Sequence, residues 1–356
     1  WRVRTRSSMR VFWIYGQIIL RRMRISSLTK RSINPLCSLF VKKQVVLLLF
    51  ILFASVVYGQ FDPQMGQYMY MPASYNPAAV GDGNMMRVIG AHRMQYVDIT
   101  NAPMTTWFSF SSPFVIGKTY HGAGVRFLND RYGLFTTQSF YAQYAYRQRL
   151  GKGYLSVGLD LGFVNVGFKG DSINLGEMGD DYHESNDEAL PMGSKSGMKF
   201  DMGVGVYYST PVWWVGASYS HLLRPMVDWD EYSDVTLTGT MYISGGYHFR
   251  LKDYKNWMLT PSVLVMSDFV SWDVNVTLMC DYRDRYRWGL GYRIAGSVNV
   301  LLGIDIINGL QLGYSCELPT NKMLLESYGT HEIYLSYSFD ILKPKRTNKY
   351  KSVRYL

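Results

Sequence analysis

From Met85 onward the chain repeats one unit, about ten residues of strict apolar/polar alternation followed by a turn, and this period of two constrains the fold more than any other feature. Successive side chains of a strand point to opposite faces, so each unit presents one apolar and one small or polar face. Phe200, Met202, Val204, Val206 and Tyr208 alternate with Asp201, Gly203, Gly205 and Tyr207. Ile333, Leu335, Tyr337, Phe339 and Ile341 alternate with Tyr334, Ser336, Ser338 and Asp340, and Val274, Val276, Leu278 and Cys280 with Asp273, Asn275, Thr277 and Met279. An apolar face turned to lipid and a polar face turned to a lumen is the signature of a membrane barrel. A hydrocarbon core demands that every backbone group be paired, which a closed barrel satisfies without edges.

About fourteen such units are predicted, with twelve to sixteen compatible with the pattern. They lie near 85–96, 105–113, 120–129, 134–148, 154–168, 199–209, 213–221, 241–249, 257–266, 272–282, 287–294, 297–304, 310–317 and 332–341. The expected fold is therefore an all-β, closed antiparallel transmembrane barrel over residues 85–341. With an even strand number the loops sort by length. The long connections 169–198, 222–240 and 318–331 fall on one side, expected to be outer, and short turns such as Asp305 to Gly309 fall on the other. Both termini are then expected on the periplasmic side of an outer membrane. The same parity puts Cys280 and Cys316 on the lipid face at opposite ends of their strands, unpaired. Trp213, Trp214, Trp229, Trp257, Trp272 and Trp288 fall near strand ends, where an aromatic girdle belongs.

The formal net charge of +10 belongs to the N-terminal part. Residues 1–59 carry eleven Lys and Arg and no acid, which leaves 26 basic against 27 acidic residues, a net of −1, for the rest. That balance excludes nucleic-acid binding as the reading of the charge. Lys42-Lys43 and the apolar run Val45–Ala54, with small Gly59 before Gln60, predict a signal peptide over 42–59, too short to span a membrane as a helix. Residues 1–41 are read as untranslated upstream sequence, with Val41 as an alternative initiation codon, or as an unstructured basic extension. The tail 342–356 holds six basic residues and no acid, and reads either as a disordered periplasmic tail or as a contact for an acidic partner.

No enzyme constellation is legible. The histidines at 92, 121, 183, 221, 248 and 331 lack metal-ligand spacing, and no nucleophile elbow or phosphate loop occurs, so neither catalysis, metal nor cofactor is expected. The loop Glu177–Glu188 concentrates six acids without the spacing of a calcium loop, and reads as solvated.

Residues 60–84 do not alternate and are rich in turn formers. Such a segment either crosses the periplasmic mouth or enters the lumen as a plug. Its sequence, Gln60-Phe61-Asp62-Pro63-Gln64-Met65-Gly66-Gln67-Tyr68-Met69, followed by Asn76-Pro77-Ala78-Ala79-Val80-Gly81, resembles the opening of the PorP/SprF family of the type IX secretion system of Bacteroidetes. Phe200–Tyr208 and Val215–Leu222 resemble that family's central strands, F-x-x-G-x-G-x-x-Y and V-G-x-S-x-x-H-L. The resemblance covers residues 60–341 and implies a non-enzymatic outer-membrane part in exporting proteins with C-terminal sorting domains, or gliding adhesins. It also implies periplasmic ring and motor components and a peptidoglycan-linked protein as partners. Asp62, Pro63, Gln64, Gln67, Tyr68, Asn76, Pro77 and Gly81 are the candidate plug or partner motif. A passive channel or small-molecule transporter is the competing reading, resting on the polar, glycine-rich lumen face.

Overall fold

The computed structural model describes residues 62–170, 193–230, 233–251, 254 and 256–340. The expected signal peptide, the extension before it, the acidic loop 177–188 and the basic tail lie outside the described residues.

Seventeen strands follow in order: β1 Met86–Met94, β2 Met104–Ile116, β3 Thr119–Tyr132, β4 Phe135–Leu150, β5 Gly153–Lys169, β6 Ser194–Ser209, β7 Trp213–Ser220, β8 Met226–Asp230, β9 Ser233–Thr236, β10 Thr240–Tyr247, β11 Phe249–Arg250, β12 Trp257–Ser267, β13 Trp272–Tyr282, β14 Tyr286–Arg293, β15 Ser297–Ile307, β16 Leu310–Pro319 and β17 Thr330–Phe339. Each neighbouring pair is antiparallel, β1 pairs with β17, and β10 pairs with β12. Leaving aside the hairpin β8–β9 and the two-residue extension β11, the sheet closes as a barrel of fourteen strands. All fourteen coincide with a predicted unit.

Closure follows from the alternation. In β4, Phe140, Tyr144 and Tyr146 are exposed while Tyr141, Gln143, Ala145 and Arg147 are buried, and β6 and β17 show the same two-residue rhythm. The exposed set is lipid-facing and the buried set lines the lumen. Cys280 and Cys316 share the outward parity of Leu278 and Tyr314, and both thiols are free.

Two sequence expectations need correction. The connection 222–240 is not plain loop, since β8 and β9 pair within it as a hairpin. Val227 is fully buried against inward-facing Tyr141, Val164 and Val166, so the hairpin folds into the mouth at the long-loop end. Trp229 and Trp214 leave the girdle for the same reason, burial on offer inside. The Trp229 indole donates to Val166 O at 3.2 Å and stacks on Phe135 and Phe168, whereas Trp214 has inward parity and packs on Ala78, Ala79 and Tyr207. Trp213, Trp272 and Trp288 remain exposed on the outside.

Candidate functional site

What fills the barrel is its own N-terminal segment. Tyr68–Tyr70 and Pro77–Ala79 form single 3-10 turns, and α1, Pro72–Tyr75, forms one α turn. Pro72 and Pro77 each open their turn at a position where a missing N–H costs nothing. A segment this short in helix cannot satisfy its own backbone, so the wall does it.

The descent begins at the long-loop end. Asp62 accepts from His221 Nε2 at 3.1 Å and from the Tyr242 hydroxyl, with Pro63 beside it on the same cavity wall. The Gln64 side chain donates to Asp273 at 2.5 Å and accepts from Asn275 at 2.8 Å. Glu332 takes the backbone N–H of Gly66 at 2.7 Å and of Gln67 at 3.1 Å, while Tyr68 meets Ser262 at 3.0 Å. Met65, Tyr68, Met71 and Tyr75 then form an apolar core with Ile89, Ala91, Trp107, Leu128, Tyr242, Leu264, Met266 and Tyr334 of the wall.

Asn76 anchors the second half. Its amide donates to Val206 O at 2.9 Å and Ala217 O at 3.2 Å, and its oxygen caps Ala78 N at 2.9 Å. Gly205 and Gly158 allow this approach: a Cβ at Gly205 would overlap Asn76 Oδ1, and one at Gly158 would overlap the Pro77–Ala78 backbone. The segment leaves at the short-turn end, where Arg147 binds Gly81 O and pairs with Asp82 at 2.7 Å. Gly81 takes φ +69°, a left-handed conformation that a side chain would strain.

All eight residues singled out in the sequence lie on the plug, spread along the lumen from Asp62 at the long-loop end to Gly81 at the short-turn end. Among the described residues, Asp62 lies at the long-loop end and Asp340 at the short-turn end. The plug separates two cavities. One of about 350 Å³ lies under the β8–β9 hairpin, lined by Asp62, Tyr75, Trp107, Arg126, His221 and Leu237. The other, about 250 Å³ at the short-turn end, is lined by Met69, Tyr70, Asp82, Trp214, His248 and Asp281.

The lumen wall carries charge in compensated groups. Arg93 pairs with Glu317 at 2.6 Å and Glu332 at 3.4 Å, Arg126 with Asp160 at 2.9 Å, and Arg293 with Glu317 at 3.1 Å. His221, one residue beyond β7, is clamped between Asp201 on Nδ1 at 2.7 Å and Asp62 on Nε2. Burial alone would push the His221 pKa down, but the two carboxylates overcome it and hold it at about 10. Burial likewise pushes Asp62 up, and the His221 charge with hydrogen bonds from His221 and Tyr242 brings it down to about 2. Both imidazole nitrogens are occupied, so the ring is a charged tie rather than a free base.

A transmembrane barrel that carries residues 62–82 in its lumen has relatives. Residues 57–337 match the family described as type IX secretion system membrane protein PorP/SprF. The chain belongs to the PorP/SprF family. It is an outer-membrane barrel of the type IX secretion system, and the family points to other secretion components as its associates. Its fold is similar to that of the toluene transporter TodX of P. putida, at 10% identity, TM-score 0.41, covering 76% of this chain and 94% of that one. It is similar also to the CymD monoaromatic hydrocarbon channel, at 12% identity, TM-score 0.40, covering 79% and 94%. The translocator domain of the autotransporter NalP from Neisseria meningitidis matches at 12% identity, TM-score 0.39, covering 73% and 89%. None of the curated proteins matches the chain.

In this PorP/SprF protein, His221, Asp201, Arg93, Glu332 and Arg126 are the site residues that sequence reasoning passed over. One signal was available. Asp160, Asp201, Glu317 and Glu332 each occupy a lumen-facing position, and a charge at that parity asks for a partner. Which cation answers it depends on a register that alternation does not fix.

Proposed function

We propose that this protein is a closed, non-enzymatic scaffold of the type IX machine. In this reading it supports export or surface attachment of proteins with C-terminal sorting domains, gliding adhesins among them. It docks periplasmic ring and motor components and a peptidoglycan-linked protein through its short-turn end. The observation that carries the reading is the occupied lumen. A segment tied to the wall from Asp62 to Asp82 and covered by the β8–β9 hairpin leaves the short turns and long loops as the surfaces available for work. The short-turn end is taken as periplasmic because turns there are brief and the three long connections lie opposite. On this orientation Asp340 leads the chain into the periplasm, and the plug is threaded with Asp62 toward the cell surface.

Deleting the gene and measuring release of sorting-domain proteins tests the role, and normal release in a strain lacking paralogues would refute it. Affinity purification from outer membranes tests the docking side, with ring components expected among the captured proteins. The competing channel reading rests on the polar lumen wall. It predicts steady conductance in planar bilayers, whereas the filled lumen predicts none.

A further inference from the structure

Two hollows adjoin at the short-turn end, one on the outer wall and one at the rim. A furrow of about 460 Å³ runs over β14–β16, lined by Tyr282, Tyr286, Trp288, Leu302, Ile304, Leu312 and Tyr314, nearly all of it apolar. It lies between two cross-strand rows, Tyr286–Ile304–Leu312 and Trp288–Leu302–Tyr314, of outward-facing side chains. Beside it, at the rim, a polar hollow of about 180 Å³ is lined by Arg250, Asn256, Trp257, Met258, Arg283 and Asp284. Trp257 joins the two, standing 4.8 Å from the Tyr282 ring and 5.4 Å from the Trp288 ring.

The cations are placed for a membrane interface rather than for bulk water. The Arg283 guanidinium lies 5.2 Å from the centre of the Tyr282 ring, and that of Arg285 lies 5.6 Å from the Tyr286 ring. Tyr282 and Tyr286 are a cross-strand pair on the outward face, in the aromatic belt that marks headgroup depth. Arg250, Arg283 and Arg285 are all exposed, and among the described residues that line the hollow Asp284 is the one acid. An apolar furrow along the wall, ending at clustered arginines in the aromatic belt, has the shape and charge order of an acyl chain and its phosphate.

We propose that this face is a selective binding site for an anionic phospholipid of the periplasmic leaflet. Its phosphodiester is held by Arg250 and Arg283 beside Trp257, with Arg285 flanking, and one acyl chain lies in the β14–β16 furrow. The arginine fork suits a phosphate, and the Trp257–Tyr282–Trp288 ring cluster fixes the level at which the headgroup sits. The inference rests on the orientation that puts the short turns in the periplasm. An acidic protein surface is the less favoured occupant, because the furrow beneath the cations is apolar and faces the hydrocarbon.

The test is native mass spectrometry of the protein extracted from outer membranes, followed by exchange into nanodiscs of phosphatidylcholine doped with phosphatidylglycerol. The wild-type protein should retain a phospholipid through extraction and select phosphatidylglycerol over phosphatidylcholine. Arg250→Gln/Arg283→Gln should lower that selectivity about thirtyfold, from the usual worth of two juxtamembrane cations. The exposed pair Arg149→Gln/Lys152→Gln, in another short turn, should leave it unchanged, and Leu302→Trp, which fills the furrow but spares the arginines, should also weaken retention. Heat-modified gel mobility reports that each variant is a folded barrel. Equal loss in both cation pairs, or no loss in either, would overturn the site. Displacement by inorganic phosphate without any requirement for a lipid tail would reduce it to an anion contact and overturn it too. A retained lipopolysaccharide in place of a phospholipid would overturn the orientation instead, a result told apart by its mass.

Discussion

Asn76 offers the sharpest way to ask whether the plug is part of the barrel's stability or merely lodged in it. Replacing Asn76 by Ala removes the amide bonds to Val206 O and Ala217 O and the cap on Ala78 N. At about 1 kcal/mol for each side-chain hydrogen bond and about 1 kcal/mol for the cap, the loss is about 3 kcal/mol. Gly205→Ala attacks the same contact from the wall, since its Cβ would overlap Asn76 Oδ1, and overpacking of this kind costs about 2 kcal/mol. If the two act through one contact, they do not add. With Asn76 truncated, the next obstacle to the new methyl is Pro77 Cδ at 3.2 Å, which a small shift relieves, so Gly205→Ala then costs little. The double-mutant cycle should show a coupling of about 2 kcal/mol. Guanidinium unfolding in detergent micelles, followed by tryptophan fluorescence, measures all four corners. Additivity within about 0.5 kcal/mol would refute the placement of Asn76 against β6 and β7.

The remaining predictions concern charge, packing and accessibility. Glu332→Ala strips the acceptor from Gly66 N and Gln67 N and leaves Arg93 with Glu317 alone, so stability should fall by about 3–5 kcal/mol, read by the same unfolding assay. The His221 tie has a defined pH window. A histidine raised from 6.5 to about 10 stabilises fully below pH 6.5 and loses that contribution as pH rises through 10, while Asp62, lowered from 3.8 to about 2, loses its share as pH falls toward 2. The wild-type thermal midpoint should therefore drop between pH 6.5 and 10 more than that of His221→Asn, and parallel curves would contradict the clamp. Val227→Ala removes two buried methyl groups from the hairpin, costing about 1.6 kcal/mol, with faster protease cleavage in the 226–236 segment as the readout. Cys280 and Cys316 should resist water-soluble maleimides in membranes, react with lipid-soluble ones, and form no intramolecular disulfide under oxidation.

Alternation told the fold because a membrane wall makes one demand of every strand residue, in or out, and strands such as β4, β6 and β17 answer it visibly. The plug answers a different demand and so left a different trace. Asp62, Gln64, Asn76 and Gly81 stood out as turn formers without a period, which marked the segment as special but could not say what it touches. Their partners, His221, Asp273, Val206 O and Arg147, are separated from them by at least sixty residues and are set by barrel register and closure. The hairpin β8–β9 escaped for a related reason. Val227 reads as a loop residue and Trp229 as a girdle residue until strands β4 and β5 supply inward-facing Tyr141, Val164 and Val166 for them to cover. The unread part of this protein is thus what lies inside its wall. The apolar core of the barrel is shared between the wall and Met65, Tyr68, Met71 and Tyr75 of the plug. We predict from this that the plug is drawn in as the strands close rather than added to a finished pore. That ordering predicts that plug variants such as Asn76→Ala will slow refolding as well as destabilise the product, and a variant that unfolds faster but refolds at the wild-type rate would place plug docking after closure.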